Sequence, residues 1–364
     1  MGIRPSNRFR RRVAAARCGS AAVAGLFWLL ALALFVAPFL RARDDIGSYE
    51  NDFTRDTVAD SENDKIDVPF DVDVANYEQD VAPGLGAHIA AASEQYFGLE
   101  SPWLRDTGAV EFLRIPSGKQ NFEIHCVGCH GAIGDGGGPA ARYLNPRPRN
   151  FRKGLFKFTS TDAASRPQRR DLFQTITRGL AGSSMPEFRL VNEEKRWDLV
   201  EYVRWLSMKG EFEQMMLDDA YENEELPDAA EIAEIIIKRW HPANLRSIYP
   251  GVNETPNDAA SVERGRKYFN DVAKGSCYSC HGAGGKGDGP TAGDYEDDWG
   301  YPIRPRDLTA GTFRAGAEGV DLYRTIAAGI KGTPMGSFEG ALTPQEIWDL
   351  VHFIQSLSKQ ESPK

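Results

Sequence analysis

Apolar and polar positions divide the chain into distinct stretches. Residues 21–40 (AAVAGLFWLLALALFVAPFL) are apolar and uncharged. A helix needs about 20 such residues to cross a bilayer, so this run predicts a transmembrane anchor. Residues 44–82 invert the pattern, with Asp44, Asp45, Glu50, Asp52, Asp56, Asp60 and further acids but few large apolar residues. Such a segment buries too little surface to offset its ordering entropy. It reads as an acidic, solvated tether. Ile89, Ala92 and Tyr96 then recur at roughly helical spacing and predict one short helix within 84–106.

Three later stretches carry stronger helical signals. Asn192 is a candidate cap, with Trp197, Val200 and Val203 behind it. Asp228-Ala229-Ala230-Glu231 opens a helix whose apolar face is Ile232, Ile235, Ile236 and Trp240, and Pro242 stops it. Thr343-Pro344-Gln345-Glu346 reads as a capping box with proline at the first helical position. Ile347, Leu350, Val351, Ile354 and Leu357 then form one stripe. Nothing alternates like a strand, so the expected fold class is all-α.

The patterns repeat. Residues 118–207 lie over 265–358. Gly118-x-x-x-Phe122 matches Gly265-x-x-x-Phe269, and GAIGDGGGPA matches GAGGKGDGPT. Arg147-Pro148-Arg149 matches Arg304-Pro305-Arg306, and Trp197-Asp198-Leu199-Val200 matches Trp348-Asp349-Leu350-Val351. A correspondence this long means two copies of one module.

Each copy contains the same chemical motif. Cys126-Val127-Gly128-Cys129-His130 recurs as Cys277-Tyr278-Ser279-Cys280-His281. C-x-x-C-H is the attachment signature of c-type haem. The thiols add across the two vinyl groups, and the adjoining histidine ligates the iron. A zinc ribbon also uses C-x-x-C pairs, but about 15–20 residues apart, not most of a domain. A thioredoxin-like dithiol needs a βαβ context that is missing from the pattern. The motif therefore assigns Cys126, Cys129, Cys277 and Cys280 to two covalent haems, with His130 and His281 on iron.

The second axial position needs a donor from the far side of each module. Met185 and Met335 are the methionines at equivalent places. Met/His ligation is an electron-transfer arrangement and raises the reduction potential. The alternative is a loop methionine filling core space; the duplication favours the ligand. Met208, Met215 and Met216 have no counterparts and read as packing residues. Arg147, Arg149, Arg304 and Arg306 are candidate partners for haem propionates, since arginine pairs well with carboxylates. Solvated basic loops are the other reading.

Charge and cysteine count narrow the picture. The net charge of -9 argues against a nucleic-acid partner. Four of the five cysteines sit in the motifs, which leaves Cys18 and no disulfide framework. Arg4, Arg8, Arg10, Arg11, Arg12 and Arg17 precede the apolar run, which orients the N-terminus to the cytoplasm and the residues after the run to the outside. A cleaved signal peptide is the alternative; the length of the run and Pro38 after Ala37 favour an uncleaved anchor. The expected organisation is a basic N-terminus (1–20), an anchor (21–40), an acidic tether with a short helix (41–107), a first module (108–209), a helical insert (210–262) and a second module (263–364).

On these motifs the modules resemble class I cytochrome c domains, and the chain resembles membrane-anchored di-haem cytochromes c of bacteria. The resemblance covers about 118–209 and 263–358. It implies that the haem-motif helix packs across the C-terminal helix of each module. It also implies that the carbonyl of a proline after the haem histidine accepts a hydrogen bond from it. Pro139 and Pro290 hold the matching positions. The expected function is single-electron transfer by a carrier, not an enzyme, tethered to the inner membrane with its haems in the periplasm. Its partners would be an oxidoreductase on one side and a terminal oxidase or soluble cytochrome on the other. A di-haem peroxidase is the alternative and needs one open iron; a gas-binding sensor needs one too.

Overall fold

Two pairs of crossing helices carry the fold. The computed structural model describes residues 84–297 and 300–359. The predicted anchor at 21–40, the basic segment before it with Cys18, and the acidic stretch through 82 lie outside the described residues. In chain order the helices are α1 (Leu85–Phe97), α2 (Pro102–Thr107), α3 (Ile115–His125), α4 (Val127–His130), α5 (Arg169–Arg178), α6 (Glu193–Asn223), α7 (Ala229–Trp240), α8 (Ala259–Asn270), α9 (Cys277–His281), α10 (Gly319–Ala328) and α11 (Pro344–Lys359). The all-α expectation needs one correction. Strands β1 (Tyr295–Glu296) and β2 (Pro302–Ile303) pair antiparallel. Two residues per strand are too few to leave an alternating pattern in the sequence.

In the first copy α3 crosses α6, and in the second α8 crosses α11. A Cβ on Gly118 would lie 2.2 Å from the Asp198 carbonyl oxygen, and one on Gly265 would lie 1.9 Å from that of Asp349. Only glycine lets the backbones meet so closely. One turn later, on the same helix face, Phe122 meets Tyr202 and Phe269 meets Phe353, each at 5.2 Å between centroids. All four rings are buried, and burying a phenylalanine side chain is worth about 1.5–3 kcal/mol. The aspartate of each Trp-Asp-Leu-Val segment locks the crossing. Asp198 accepts from Arg114 and Ser117, and Asp349 accepts from Arg264 and Ser261. Arginine and serine exchange places between the copies. The contact is duplicated although the letters are not.

The predicted caps form. Asn192 accepts from the Glu194 amide, and Asp228 accepts from the Ala230 and Glu231 amides. The Thr343 hydroxyl accepts from the Glu346 amide while Glu346 accepts from the Thr343 amide, which closes the box. The boundaries differ from expectation in two places. Helix α6 does not stop at 209; it runs for 31 residues from Glu193 to Asn223. No glycine or proline after Gly210 interrupts it before Pro227. The segment 84–107 is also not part of a tether. Leu85, Ile89, Phe97 and Leu104 join the first module's core.

Polar anchors fasten these added elements onto α6. The Trp205 indole donates to the Phe97 carbonyl at 2.8 Å. Arg204 is fully buried and donates to the carbonyls of Ala109 and Trp240. Burial lowers its pKa to about 10, against the pull of Glu201. Glu211 accepts from the Trp240 indole, Arg239 and Arg166. His88 pairs through Nε2 with the Pro227 carbonyl. Met208 and Met216 are fully buried, as packing residues should be.

The end of the insert joins the two modules. Thr161 bridges to Ser247, and the Ile248 amide donates to the Ser160 carbonyl at 2.7 Å. Ile248 itself lies in the second module's core. Arg246 pairs with Asp162 of the first module and Glu339 of the second. Lys157 reaches Asp297 at 2.9 Å. Lys331, four residues before Met335, donates to the Thr161 hydroxyl and the Ser165 carbonyl. Burial, with Arg166 nearby, pushes Lys331 down to about 8 from its ordinary 10.5. Between those two values the unfolded chain holds a proton that the folded chain lacks, so this group's contribution to stability rises with pH across that window. Below pH 8 both states are protonated and the dependence vanishes. The wild type is therefore expected to gain stability relative to Lys331→Met between about pH 8 and 10.5. Parallel denaturant titrations across that range check it; a constant difference would remove Lys331 as the source.

Candidate haem sites

Each haem motif forms a short helix at the end of the crossing helix. In α4 the Gly131 amide donates to the Val127 carbonyl at 3.0 Å, and in α9 the Gly282 amide donates to that of Tyr278 at 2.8 Å. The glycine loop then turns back. The Gly136 amide reaches the His130 carbonyl at 2.9 Å, and Gly287 reaches that of His281 at 2.8 Å. Both glycines have positive φ, and a Cβ on either would press on the carbonyl of Pro148 or Pro305. Close approach of the Arg-Pro-Arg segment to this loop explains the glycines.

That approach sets the histidines. His130 Nδ1 lies 3.0 Å from the Arg149 carbonyl, and His281 Nδ1 lies 3.2 Å from that of Arg306. A carbonyl only accepts, so each Nδ1 carries the proton and each Nε2 is left to bind metal. Burial holds both imidazoles below their ordinary pKa. The neutral ring is the form that ligates. The Phe151 ring stacks on His130 at 4.5 Å. The expected acceptors were Pro139 and Pro290, and here the structure corrects the reading. Both prolines are exposed, and the carbonyls that reach the histidines belong to Arg149 and Arg306. A main-chain carbonyl leaves no residue-type signature, so the sequence alone did not point to it.

All four motif cysteines are free. Burial pushes the Cys126 thiol up to about 12 and the Cys277 thiol up to about 11. A thiol held neutral makes a poor thiolate metal ligand and a poor partner in a redox dithiol. No group of three or more histidine, cysteine, aspartate or glutamate side chains stands ready to hold a metal ion among the described residues. Paired, unbridged cysteines beside a neutral imidazole fit a covalently attached haem in each copy.

The two methionine loops match bond for bond. The Leu180 amide donates to the Met185 carbonyl at 3.1 Å, and the Ile330 amide donates to that of Met335 at 2.9 Å. Ser183 and Thr333 occupy equivalent places: each accepts from the methionine amide at 3.3 Å and donates to the carbonyl that opens the loop at 2.7 Å. Met185 and Met335 are both half-buried, flanked by exposed neighbours. Neither belongs to the buried core, so filler is a poor account of them.

The four arginines part company. Arg147 lies over the Tyr301 ring at 5.1 Å, which crosses between modules. Arg306 Nε donates to the Thr312 carbonyl at 3.0 Å, and its guanidinium lies against Gly182 of the first methionine loop. Arg304 is exposed. Arg149 and Arg306 serve their histidines through backbone carbonyls. Sequence reasoning reads Lys157 as part of a basic docking face and does not pair it with Arg314; the two hold equivalent positions after Phe156 and Phe313. Burial lowers the pKa of both.

Comparison with known proteins agrees with this geometry. Residues 262–358 match the family model described as cytochrome c, and residues 114–203 match that of cytochrome c oxidase, cbb3-type, subunit III. A solved chain of the Kuenenia stuttgartiensis reducing HAO-like protein complex is 33% identical with a TM-score of 0.54. The match covers 66% of this chain and 95% of that one. No curated protein matches. Cytochrome c domains imply covalently bound haem c, which the half-buried motif cysteines and histidines fit, and the chain belongs to the cytochrome c family.

Proposed function

We propose that the protein is an electron carrier with two haem c groups, one on Cys126 and Cys129 and one on Cys277 and Cys280. Haem c supplies a one-electron iron couple. His130 and His281 would ligate the two irons, and Met185 and Met335 are the candidate second donors. The Arg149 and Arg306 carbonyls hold the imidazole protons at Nδ1. The buried phenylalanines and crossing helices keep water from the histidine side. An iron so ligated would have no position left for a substrate, which supports a carrier or electron-transfer subunit rather than an enzyme.

The observation that carries this reading is the duplication of the methionine loop down to its hydrogen bonds, alongside the duplicated histidine-to-carbonyl contacts. The apolar run at 21–40 supports a seat in the inner membrane of a bacterium, with both modules on the periplasmic side. The similar solved chain stands in a redox-named complex. That likeness supports a partner oxidoreductase on the donor side, with a terminal oxidase or soluble cytochrome as acceptor.

An optical spectrum of the membrane-purified protein tests the reading. The oxidised form is expected to show the far-red thioether-to-iron band. Haem quantification should give two haems per chain, and carbon monoxide should leave the reduced spectrum unchanged. A carbon monoxide shift or peroxide turnover would instead favour a di-haem peroxidase.

A further inference from the structure

A cavity of about 220 Å³ lies between the two modules, and its walls are built from equivalent residues of both. Lys157 faces it with Arg314, Asp171 with Asp321, and Gly179 with Gly329. Each pair is related by the sequence repeat. The two glycines open the methionine loops, so the cavity flanks both candidate haem sites.

Its charge is lopsided. Lys157, Arg178, Arg314 and Arg324 line it against Asp171 and Asp321. Asp171 is already engaged, accepting from the amides of Ser160 and Gln168. Asp321 faces Arg178 at 3.6 Å, and burial raises its pKa. Nε of Arg314, Nε of Arg324 and Oδ2 of Asp321 are buried with no hydrogen-bond partner, while Lys157 is paired with Asp297 at 2.9 Å. A buried guanidinium donor without an acceptor is costly. Cations gathered out of water in this way call for anions.

A haem carries two propionate carboxylates on the edge opposite its vinyl groups. In the first module a stack of rings leads from the iron-side histidine towards the cavity: His130 on Phe151 at 4.5 Å, then Phe151 on Phe156 at 5.9 Å. Lys157 follows directly. We propose that this cavity is a shared cationic chamber for the propionate carboxylates of both haems, with Arg314 and Lys157 as their principal cations. The proposal rests on the two-haem reading of the protein. Arg147, Arg149, Arg304 and Arg306 are then not the main carboxylate partners, and each haem responds to cations contributed by the other module.

The test is a redox titration of the full-length holoprotein, followed by the paramagnetically shifted haem methyl resonances that keep the two haems apart. Removing a cation stabilises oxidised, more positive haem. Arg314→Gln and Lys157→Gln are each expected to lower the potentials of both haems, by up to a tenfold change in the oxidised-to-reduced ratio, or about 59 mV for one electron. Arg314→Lys keeps the charge and should leave both near wild type. A variant that moves only its own module's haem overturns the sharing. Unmoved potentials with an intact far-red band overturn the chamber and leave the carrier reading standing.

Discussion

Gly265→Ala is expected to unfold the second module while the first stays folded. The new Cβ would stand 1.9 Å from the Asp349 carbonyl oxygen and 2.9 Å from the Phe353 Cβ. Neither contact is the far end of a flexible side chain, so α8 has to move off α11. That motion also pulls Arg264 and Ser261 from Asp349, which is almost fully buried. Overpacking a core typically costs about 1–3 kcal/mol. A backbone clash that also strands a buried carboxylate belongs at the top of that range or above it. Gly118→Ala should act alike on the first module, where the clash is 2.2 Å from the Asp198 carbonyl. Gly284→Ala, with nothing within 4 Å, is the control. Haem content per chain and the thermal transition of each variant report the outcome. Gly265→Ala is expected to retain the haem on Cys126 and Cys129 and to lose the one on Cys277 and Cys280. An unchanged melting profile would show that the helix crossing does not hold the module together.

The family resemblance implied this crossing, and the repeated Gly-x-x-x-Phe marked the helix that enters each haem motif without showing what the glycine touches. Caps were legible because they are local: Asn192, Asp228 and the Thr343–Glu346 box satisfy amides two or three residues away. What escaped depends on distant partners or on the main chain. The docking of 84–107 rests on Trp205 reaching the Phe97 carbonyl and on a buried Arg204, neither of which shows in apolar spacing. The end of the repeat suggests a domain edge at 209, but helix propensity does not stop where the likeness between copies stops. Family resemblance pointed to Pro139 and Pro290, and the Arg149 and Arg306 carbonyls took their place. Lys157 and Arg314 were not recognised as a pair because they differ in residue type. Their equivalence emerges only when Phe156 and Phe313 are aligned and both cations are found on one cavity wall.

Met185→Ala and Met335→Ala should each open one iron and leave the other closed. Each variant is expected to lose about half of the far-red band and to gain carbon monoxide binding at one haem. The altered haem should fall in potential by a sizeable part of the roughly 0.8 V range that axial ligands span. The two variants should not behave alike in the remaining loop. Lys331 ties the second loop to Thr161 and Ser165 of the first module, whereas Ala181 occupies the equivalent place in the first loop. A tethered loop holds its shape after the side chain is removed, so Met335→Ala should leave a well-formed open site. The first loop has Pro186 after its methionine and meets the second module at Gly182 through the Arg306 guanidinium, packing without a hydrogen bond like that of Lys331, so Met185→Ala should bind carbon monoxide with more varied kinetics. Adding Lys331→Met to Met335→Ala is expected to erase that contrast. Rates measured by flash photolysis decide it. If neither methionine variant admits carbon monoxide, another side chain holds the sixth position, and the carrier reading would have to be rebuilt on that ligand.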